Sequence, residues 1–319
     1  MISAQNLSKV YKNGFNAVDH LNLNIEEGDI YGFLGPNGAG KTTTIRMLTG
    51  LLKPTEGNVF INGLEISDNI ETIKLKIGVL PESHGFYNWM TAYEYLQYFY
   101  DLFGMARENA DNHILYLLKK VGLYDRRNTK IGHFSRGMRQ RLGLAKTLIN
   151  QPKIIFLDEP TLGLDPTGQR DIHNLILELN KSMNITVFIT SHLLKDIEVL
   201  CNKVAIVKHG KLLVEDTIQN LQERYSEAET ISFKTSNNAL AFDLIQMSDP
   251  QAQVTLDDDI ILFKFDKPSN IERQKQKIIE ILFVNNIDIY EISKHKTTIE
   301  DIFINLVSTE DEAVVQNGQ

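Results

Sequence analysis

The spacing of apolar positions divides the chain into two differently built parts. Near the start, Ile2 to Val10, Ala17 to Ile25 and Ile30 to Leu34 read as short strands, the last running into a glycine-rich turn. The period then becomes helical from Lys41 to Leu51, and strand signals return at Asn58 to Asn62 and Ile77 to Leu80. From Tyr87 to about Asn150 the pattern is mainly helical. It changes again to strands at Ile154 to Leu157, Val187 to Thr190 and Val204 to Val207. A helix over Gln169 to Lys181 separates the first two of these, as in the βαβ unit of a parallel sheet. Residues 1–220 therefore read as an α/β core, with a mostly parallel sheet, an antiparallel β edge and a helical insertion over about 86–150.

Beyond residue 220 the order is strand Thr230 to Thr235, helix Ala239 to Met247, strands Gln253 to Leu256 and Ile260 to Phe265, helix Ile271 to Val284, strand Ile287 to Ile292. This β-α-β-β-α-β succession is the split-βαβ pattern of a small α+β domain, spanning 221–307 with a closing helix from Ile299 to Val307. The polar stretch 308–319 is expected to be disordered.

Composition narrows the function classes. The net charge is −8, from 33 Lys and Arg against 41 Asp and Glu, and so lacks the basic footprint of a protein that coats nucleic acid. A single cysteine, Cys201, permits no internal disulfide and suits a reducing cytosol. No stretch approaches the ~18 apolar residues of a spanning helix, and Met1 to Asn6 lacks the basic and apolar regions of a signal peptide. A membrane role is thus expected to come from a partner.

Gly35-Pro36-Asn37-Gly38-Ala39-Gly40-Lys41-Thr42 has the P-loop spacing, followed by Thr43. The strand leading in and the helix leading out give the motif the context it needs. Its glycines let backbone N–H groups converge on phosphate oxygens at a helix N-terminus. Lys41 is placed for the β- and γ-phosphates, and the Thr42 hydroxyl for Mg²⁺. Further on, Ile154 to Leu157 forms a buried strand that ends in Asp158-Glu159-Pro160. Asp158 suits a Mg²⁺ ligand acting through water, and Glu159 a general base for the water that attacks the γ-phosphate.

With these motifs on the page, residues 1–220 resemble an ABC-family ATP-binding subunit. Phe134-Ser135-Arg136-Gly137-Met138-Arg139-Gln140-Arg141 is similar to the family's signature segment, with Ser135 as the natural N-cap of the helix that follows. The resemblance implies that Ser135, Arg136, Gly137 and Met138 bind ATP in trans, covering the γ-phosphate held by an opposing subunit. Leu162-Gly163-Leu164-Asp165 resembles the D-loop, which links the two sites. His192, 33 residues after Glu159, resembles the switch histidine on the γ-phosphate, and Tyr11 the aromatic stacked on adenine. The catalytic set implied is Glu159, His192 and Lys41; the metal set is Thr42, Glu82 and Asp158.

Two positions depart from the family pattern. Glu82 stands where glutamine is usual, and Arg136 where the signature usually has its first glycine. Both changes are common in the drug- and antibiotic-exporting branch, and the C-terminal region resembles that branch's accessory domain. The resemblance implies an ATPase with ATP and Mg²⁺ as cofactors and two main partners: a second ATP-binding subunit (identical or paralogous) and a separate transmembrane permease. The protein would then lie on the inner face of the cell membrane. Nine aromatics fall in the eighteen residues Phe86 to Phe103. Of these, Tyr95, Phe99 and Phe103 recur at helical spacing as core, whereas Tyr87 and Trp89 read equally as core or as a surface for the permease. A ribosome- or DNA-directed ABC ATPase, or a regulatory one in an immunity or signalling module, is the alternative.

Overall fold

A computed structural model describes residues 1–83, 85–225, 229–248, 253–257, 260–265, 271–295 and 298–316. The chain forms two compact units, Met1–Ile218 joined by Leu306–Gln319, and Gln219–Asn305. The first unit opens with β1 (Ile2–Val10), β2 (Asn16–Ile25) and β3 (Ile30–Leu34), then α1 (Lys41–Leu48). Next come β4 (Glu56–Ile61), β5 (Leu64–Glu65), α2 (Ile66–Lys74) and β6 (Ile77–Leu80). Three helices follow: α3 (Ala92–Leu102), α4 (Ala110–Lys120) and α5 (Arg136–Thr147). The chain then returns to the sheet through β7 (Ile154–Asp158), α6 (Pro166–Met183), β8 (Thr186–Ser191), α7 (Leu194–Leu200), β9 (Lys203–Lys208) and β10 (Lys211–Thr217), before α8 (Ile218–Tyr225).

Two sheets result. The larger has the order β10-β9-β3-β8-β7-β6, parallel except for the β9–β10 hairpin. All five residues of β3 and of β7 are buried, as strands covered on both faces must be, and their sequences are correspondingly apolar throughout. Phe188 on β8 anchors this layer, with ring centroids 5.8 Å from Tyr31, 5.5 Å from Phe33 and 5.7 Å from Phe156. The smaller sheet, β2-β1-β4-β5, is antiparallel and alternates buried with exposed positions. Its β2 meets the β9–β10 turn where the Asp19 N–H donates to the Gly210 carbonyl at 2.9 Å.

The inserted helices are capped where the sequence allows. Thr91 and Glu94 form a reciprocal capping box on α3, Ser135 accepts from the Met138 N–H on α5, and Asp165 caps α6 ahead of Pro166. Tyr95 is buried as the helical spacing predicts, while Phe99 and Phe103 are only half-buried. The helix expected over Lys41 to Leu51 stops at Leu48, because Gly50 takes a φ of 69° and turns the chain.

In the second unit β11 (Glu229–Thr235), α9 (Asn238–Ser248), β12 (Gln253–Asp257), β13 (Ile260–Phe265), α10 (Ile271–Val284) and β14 (Ile289–His295) build an antiparallel sheet of order β12-β13-β11-β14. Its core brings Phe233, Ile261 and Phe263 of the sheet against Ile245 of α9 and Leu282 of α10. The last strand starts two residues later than expected, since Ile287 is taken up by the turn after α10.

The closing segment corrects the sequence reading. Instead of ending at Val307 with 308–319 disordered, α11 runs Ile299–Gln316, and residues 317–319 lie outside those described. Thr298 and Asp301 cap it reciprocally, and nothing before Gly318 breaks a helix once it is nucleated. Its later part belongs to the first unit, where the Lys208 ammonium donates to the Val307 carbonyl at 2.6 Å.

Candidate functional site

Two glycines of the turn between β3 and α1 have no room for a side chain. A methyl group on Gly35 would lie 2.5 Å from the Val207 carbonyl oxygen, and one on Gly40 2.3 Å from that of Ala17. Gly40 also has a φ of 94°, which L-residues rarely adopt. The turn therefore packs backbone against backbone and leaves its outer side to a ligand. A cavity of about 440 Å³ opens there, lined by Pro36, Asn37, Gly38, Gly40, Lys41, Thr42 and Thr43. Gly35 and Ala39 lie buried beneath it. Across the cavity stand Glu82, Asp158, Glu159, Leu162 and His192. Residues from four separated stretches of sequence thus meet where the strands β3, β6, β7 and β8 end, as the parallel sheet requires.

Lys41 is buried, with its ammonium donating to the Gly35 carbonyl at 2.7 Å and the Pro36 carbonyl at 3.3 Å. Burial pushes its pKa below the ordinary lysine value, against the pull of Glu159, Asp158 and Glu82. A polyanion entering the cavity would meet this cation with its partners already in place.

Glu159 stands just past the end of β7 with a φ of 52°, left-handed for a residue with a side chain. Its N–H donates to the Thr190 carbonyl at 3.1 Å and to the Thr190 hydroxyl at 3.3 Å. The Thr190 hydroxyl donates in turn to Asp158 Oδ1 at 2.7 Å. One Glu159 oxygen is 4.0 Å from the Lys41 ammonium; the other accepts from His192, at 2.7 Å from Nδ1 and 3.3 Å from the backbone N–H. The carboxylate is thus held at a point between the lysine and the histidine, with 11% of its side chain exposed to the cavity.

Tyr11 lies beside the phosphate-binding turn. Its hydroxyl lies 3.3 Å from the Thr43 hydroxyl, but its ring does not line the cavity; the exposed Phe15 does. The local signal for Phe15 is an aromatic flanked by Gly14 and Asn16 in a hairpin turn, where an apolar ring has no core to enter. Thr190 was also missed, since its role rests on a neighbouring strand rather than on any local motif.

The signature segment lies with Gly163 to Asp165 of the D-loop, whose first residue, Leu162, reaches back to the first cavity. Ser135, Arg136, Gly137 and Met138 share a second cavity of about 380 Å³ with Gly163, Leu164 and Asp165. The Arg136 guanidinium donates to the Gly163 carbonyl at 3.2 Å. The arginine therefore turns back onto its own chain's D-loop. Below it, Arg141 on α5 pairs with Asp171 on α6 at 2.5 Å.

Thr42 on one side of the first cavity and Glu82 and Asp158 on the other offer hard oxygen donors, which is the donor chemistry Mg²⁺ prefers. Among the described residues no cluster of three or more His, Cys, Asp or Glu could hold an ion unaided. That donor set fits a Mg²⁺ that keeps phosphate and water ligands.

Comparison with known proteins places the geometry. A family model described as ABC transporter matches residues 18–162. The bacitracin transport ATP-binding protein BcrA of Bacillus licheniformis is 39% identical over 307 residues, covering 96% of this chain and 97% of that protein. Among solved structures, the dimeric post-hydrolysis state of the ATP-binding cassette MJ0796 bound to ADP and Pi is 30% identical, with a TM-score of 0.62. It covers 68% of this chain and 98% of that one. CbiO1 from Clostridium perfringens, part of the ABC transporter complex cbiONQ, is 25% identical with a TM-score of 0.64, covering 70% and 95%.

Proposed function

This chain belongs to the ABC transporter family as an ATP-binding, ATP-hydrolysing subunit, and on that premise we propose that it is the motor of an exporter, working as a pair on a separate membrane permease. The observation that carries the reading is the full-length likeness to a bacitracin transport ATP-binding protein, which extends through the second unit as well as the ATPase core. The Glu82 and Arg136 departures support the exporting branch over an importer motor. Among the described residues no helix is long and apolar enough to cross a membrane.

The roles of the site residues follow from their places. The turn from Gly35 to Thr43 cradles the phosphates with backbone N–H groups at the start of α1. Lys41 exchanges its two carbonyl acceptors for β- and γ-phosphate oxygens. Thr42, with Asp158 and Glu82 through water, would hold Mg²⁺, which when bound would supply charge neutralisation to the phosphates. Glu159 takes a proton from the attacking water as that oxygen bonds to the γ-phosphorus and the bond to ADP breaks. His192 holds the Glu159 carboxylate against rotation and presents its other ring nitrogen to the γ-phosphate. Ser135 to Met138 of a second subunit close each site, and hydrolysis releases the pair.

Glu159→Gln tests the reading. It should bind ATP, lose turnover at least a hundredfold, and accumulate as a dimer detectable by light scattering. With this variant locked by ATP in cells, mild detergent should recover a polytopic membrane protein. Recovery of ribosomes, nucleic acid or a soluble sensor would replace the exporter reading and leave the ATPase intact.

A further inference from the structure

Behind the catalytic wall, on the side away from the cavity, sits a carboxylate that the chemistry above does not use. Asp196, in the first turn of α7, is 2% exposed. Its Oδ2 accepts hydrogen bonds from the Thr161 hydroxyl and, at 3.2 Å, from the Ser191 hydroxyl; its Oδ1 lies 2.8 Å from His173 Nε2. Thr161 and Ser191 are themselves fully buried. Burial works to raise the Asp196 pKa, but the bonds from His173, Thr161 and Ser191 outweigh it and hold the carboxyl below its ordinary range. It is therefore an anion at neutral pH.

The position of its three partners gives it meaning. Thr161 is two residues beyond Glu159, and Ser191 immediately precedes His192. Ser191 also accepts the Leu193 N–H at 3.0 Å, which bends the chain around the histidine. His173 stands on α6, the helix that Asp165 of the D-loop caps. One buried oxygen thus ties the loop carrying the base to the loop carrying the switch histidine, and its twin ties both to the D-loop helix.

We propose that Asp196 is a positioning residue for hydrolysis, clamping the Glu159 and His192 loops from behind so that their side chains meet in the cavity. Glu159 needs such a clamp. A left-handed φ at a non-glycine residue is strained and persists only where its surroundings over-determine it. In front, the Glu159 carboxylate meets His192, which is 40% exposed, and lies 4.0 Å from the Lys41 ammonium. A buried carboxylate is also an expensive way to fill space, because an apolar residue of similar size packs there without loss of charge solvation. Three converging donors offset that cost and fix a geometry in which a shift of ~1 Å costs about a hundredfold in rate.

The inference rests on Glu159 and His192 acting as assigned above, and its test separates the two. Steady-state kcat and KM, with binding of a fluorescent ATP analogue, are measured for Asp196→Asn, Ser191→Ala and Thr161→Val. Glu159→Gln serves as the reference. The clamp predicts a kcat lowered about tenfold to a hundredfold in D196N and about threefold to tenfold in S191A and T161V, with KM and nucleotide affinity within about twofold. Because the three act as one unit, S191A combined with D196N should be no slower than D196N by more than about twofold. Should D196N fail to fold, S191A and T161V, which remove only a hydroxyl, carry the same kinetic signature. A kcat within twofold of the unaltered protein in all three, a matching loss of nucleotide binding, or effects that multiply would each overturn the clamp. If E159Q abolishes turnover while D196N spares it, the clamp alone is wrong. If E159Q turns over normally while D196N is slow, the base assignment falls and the clamp serves another group.

Discussion

Replacing His192 with alanine isolates one contact of the catalytic wall. The ring nitrogen lies 2.7 Å from Glu159 Oε2, within the range of a hydrogen bond to an ionised acceptor, which is worth about 1.5–3 kcal/mol. At ~1.4 kcal/mol per tenfold in rate, its full loss would slow hydrolysis by roughly 10- to 150-fold. Two features set the outcome toward the lower half of that range. The histidine is 40% exposed, so water competes for the same oxygen, and the His192 backbone N–H still donates to it at 3.3 Å in the variant. The expected result is a kcat lowered about 10- to 30-fold by phosphate release at saturating MgATP, with KM within about twofold. Stability should hardly move, because an exposed ring leaves no cavity, and Tm should stay within ~2 °C. His192→Gln, whose amide can still donate, should recover part of the rate. A variant with normal kcat would remove His192 from the chemistry. A variant that lost rate and nucleotide affinity together would make it a ground-state ligand rather than a partner of the base.

Other perturbations read other parts of the molecule. Arg136→Ala removes the guanidinium from the Gly163 carbonyl; that contact is solvent-exposed, so Tm should be unchanged to within ~1 °C while ATP-driven dimerisation shifts, read by light scattering of the E159Q form. Trp89 is 67% exposed with its ring 6.2 Å from that of Tyr87, which in turn lies 5.9 Å from Tyr98, so Trp89→Ala should leave ATPase in solution intact and weaken permease co-purification at least fivefold. Retained co-purification would assign that aromatic patch elsewhere. Asp196 titrates below its unfolded value, so its contribution to stability is complete above about pH 5 and lost only as pH falls past ~3.9 toward its lowered native pKa. Asp196→Asn should accordingly flatten the acid limb of a Tm-against-pH profile and leave its shape above pH 6 unchanged.

What the sequence disclosed was the part of the site made by neighbours in the chain. Gly35 to Thr43 is legible because a phosphate cradle is a local backbone shape, enforced by glycines whose Cβ atoms would collide with carbonyls. Asp158 and Glu159 are legible because a fully buried strand has to end somewhere polar. The α/β order of the first unit and the β-α-β-β-α-β order of the second follow from alternation that no tertiary contact overrides. The missed elements have another character. α2 is short and kinked at Asn69, with a φ of −127° and ψ of 27°, and its helical signal is confined to Ile66, Ile70 and Ile73 within nine residues. The α11 extension depends on a cap at Thr298 and on the anchoring of Val307 by Lys208, 99 residues earlier.

The same distinction applies within the site. Tyr11 is legible from its place in a pattern, whereas Phe15, which lines the cavity from the other end of the same hairpin turn, is not. Thr190, Asp196 and His173 carry no motif, because each acts through a strand or helix distant in sequence: Glu159 binds Thr190 across 31 residues, and Thr161 binds Asp196 across 35. A general base must be mobile enough to meet water and fixed enough to hold a strained backbone. On the roles proposed above, those demands fall to different residues, the exposed His192 in front and the buried Asp196 behind. The chemistry of the site is thus local in sequence, and its precision is not. That is why a substitution far from any motif, at Asp196, is expected to reach kcat when it touches neither nucleotide nor water.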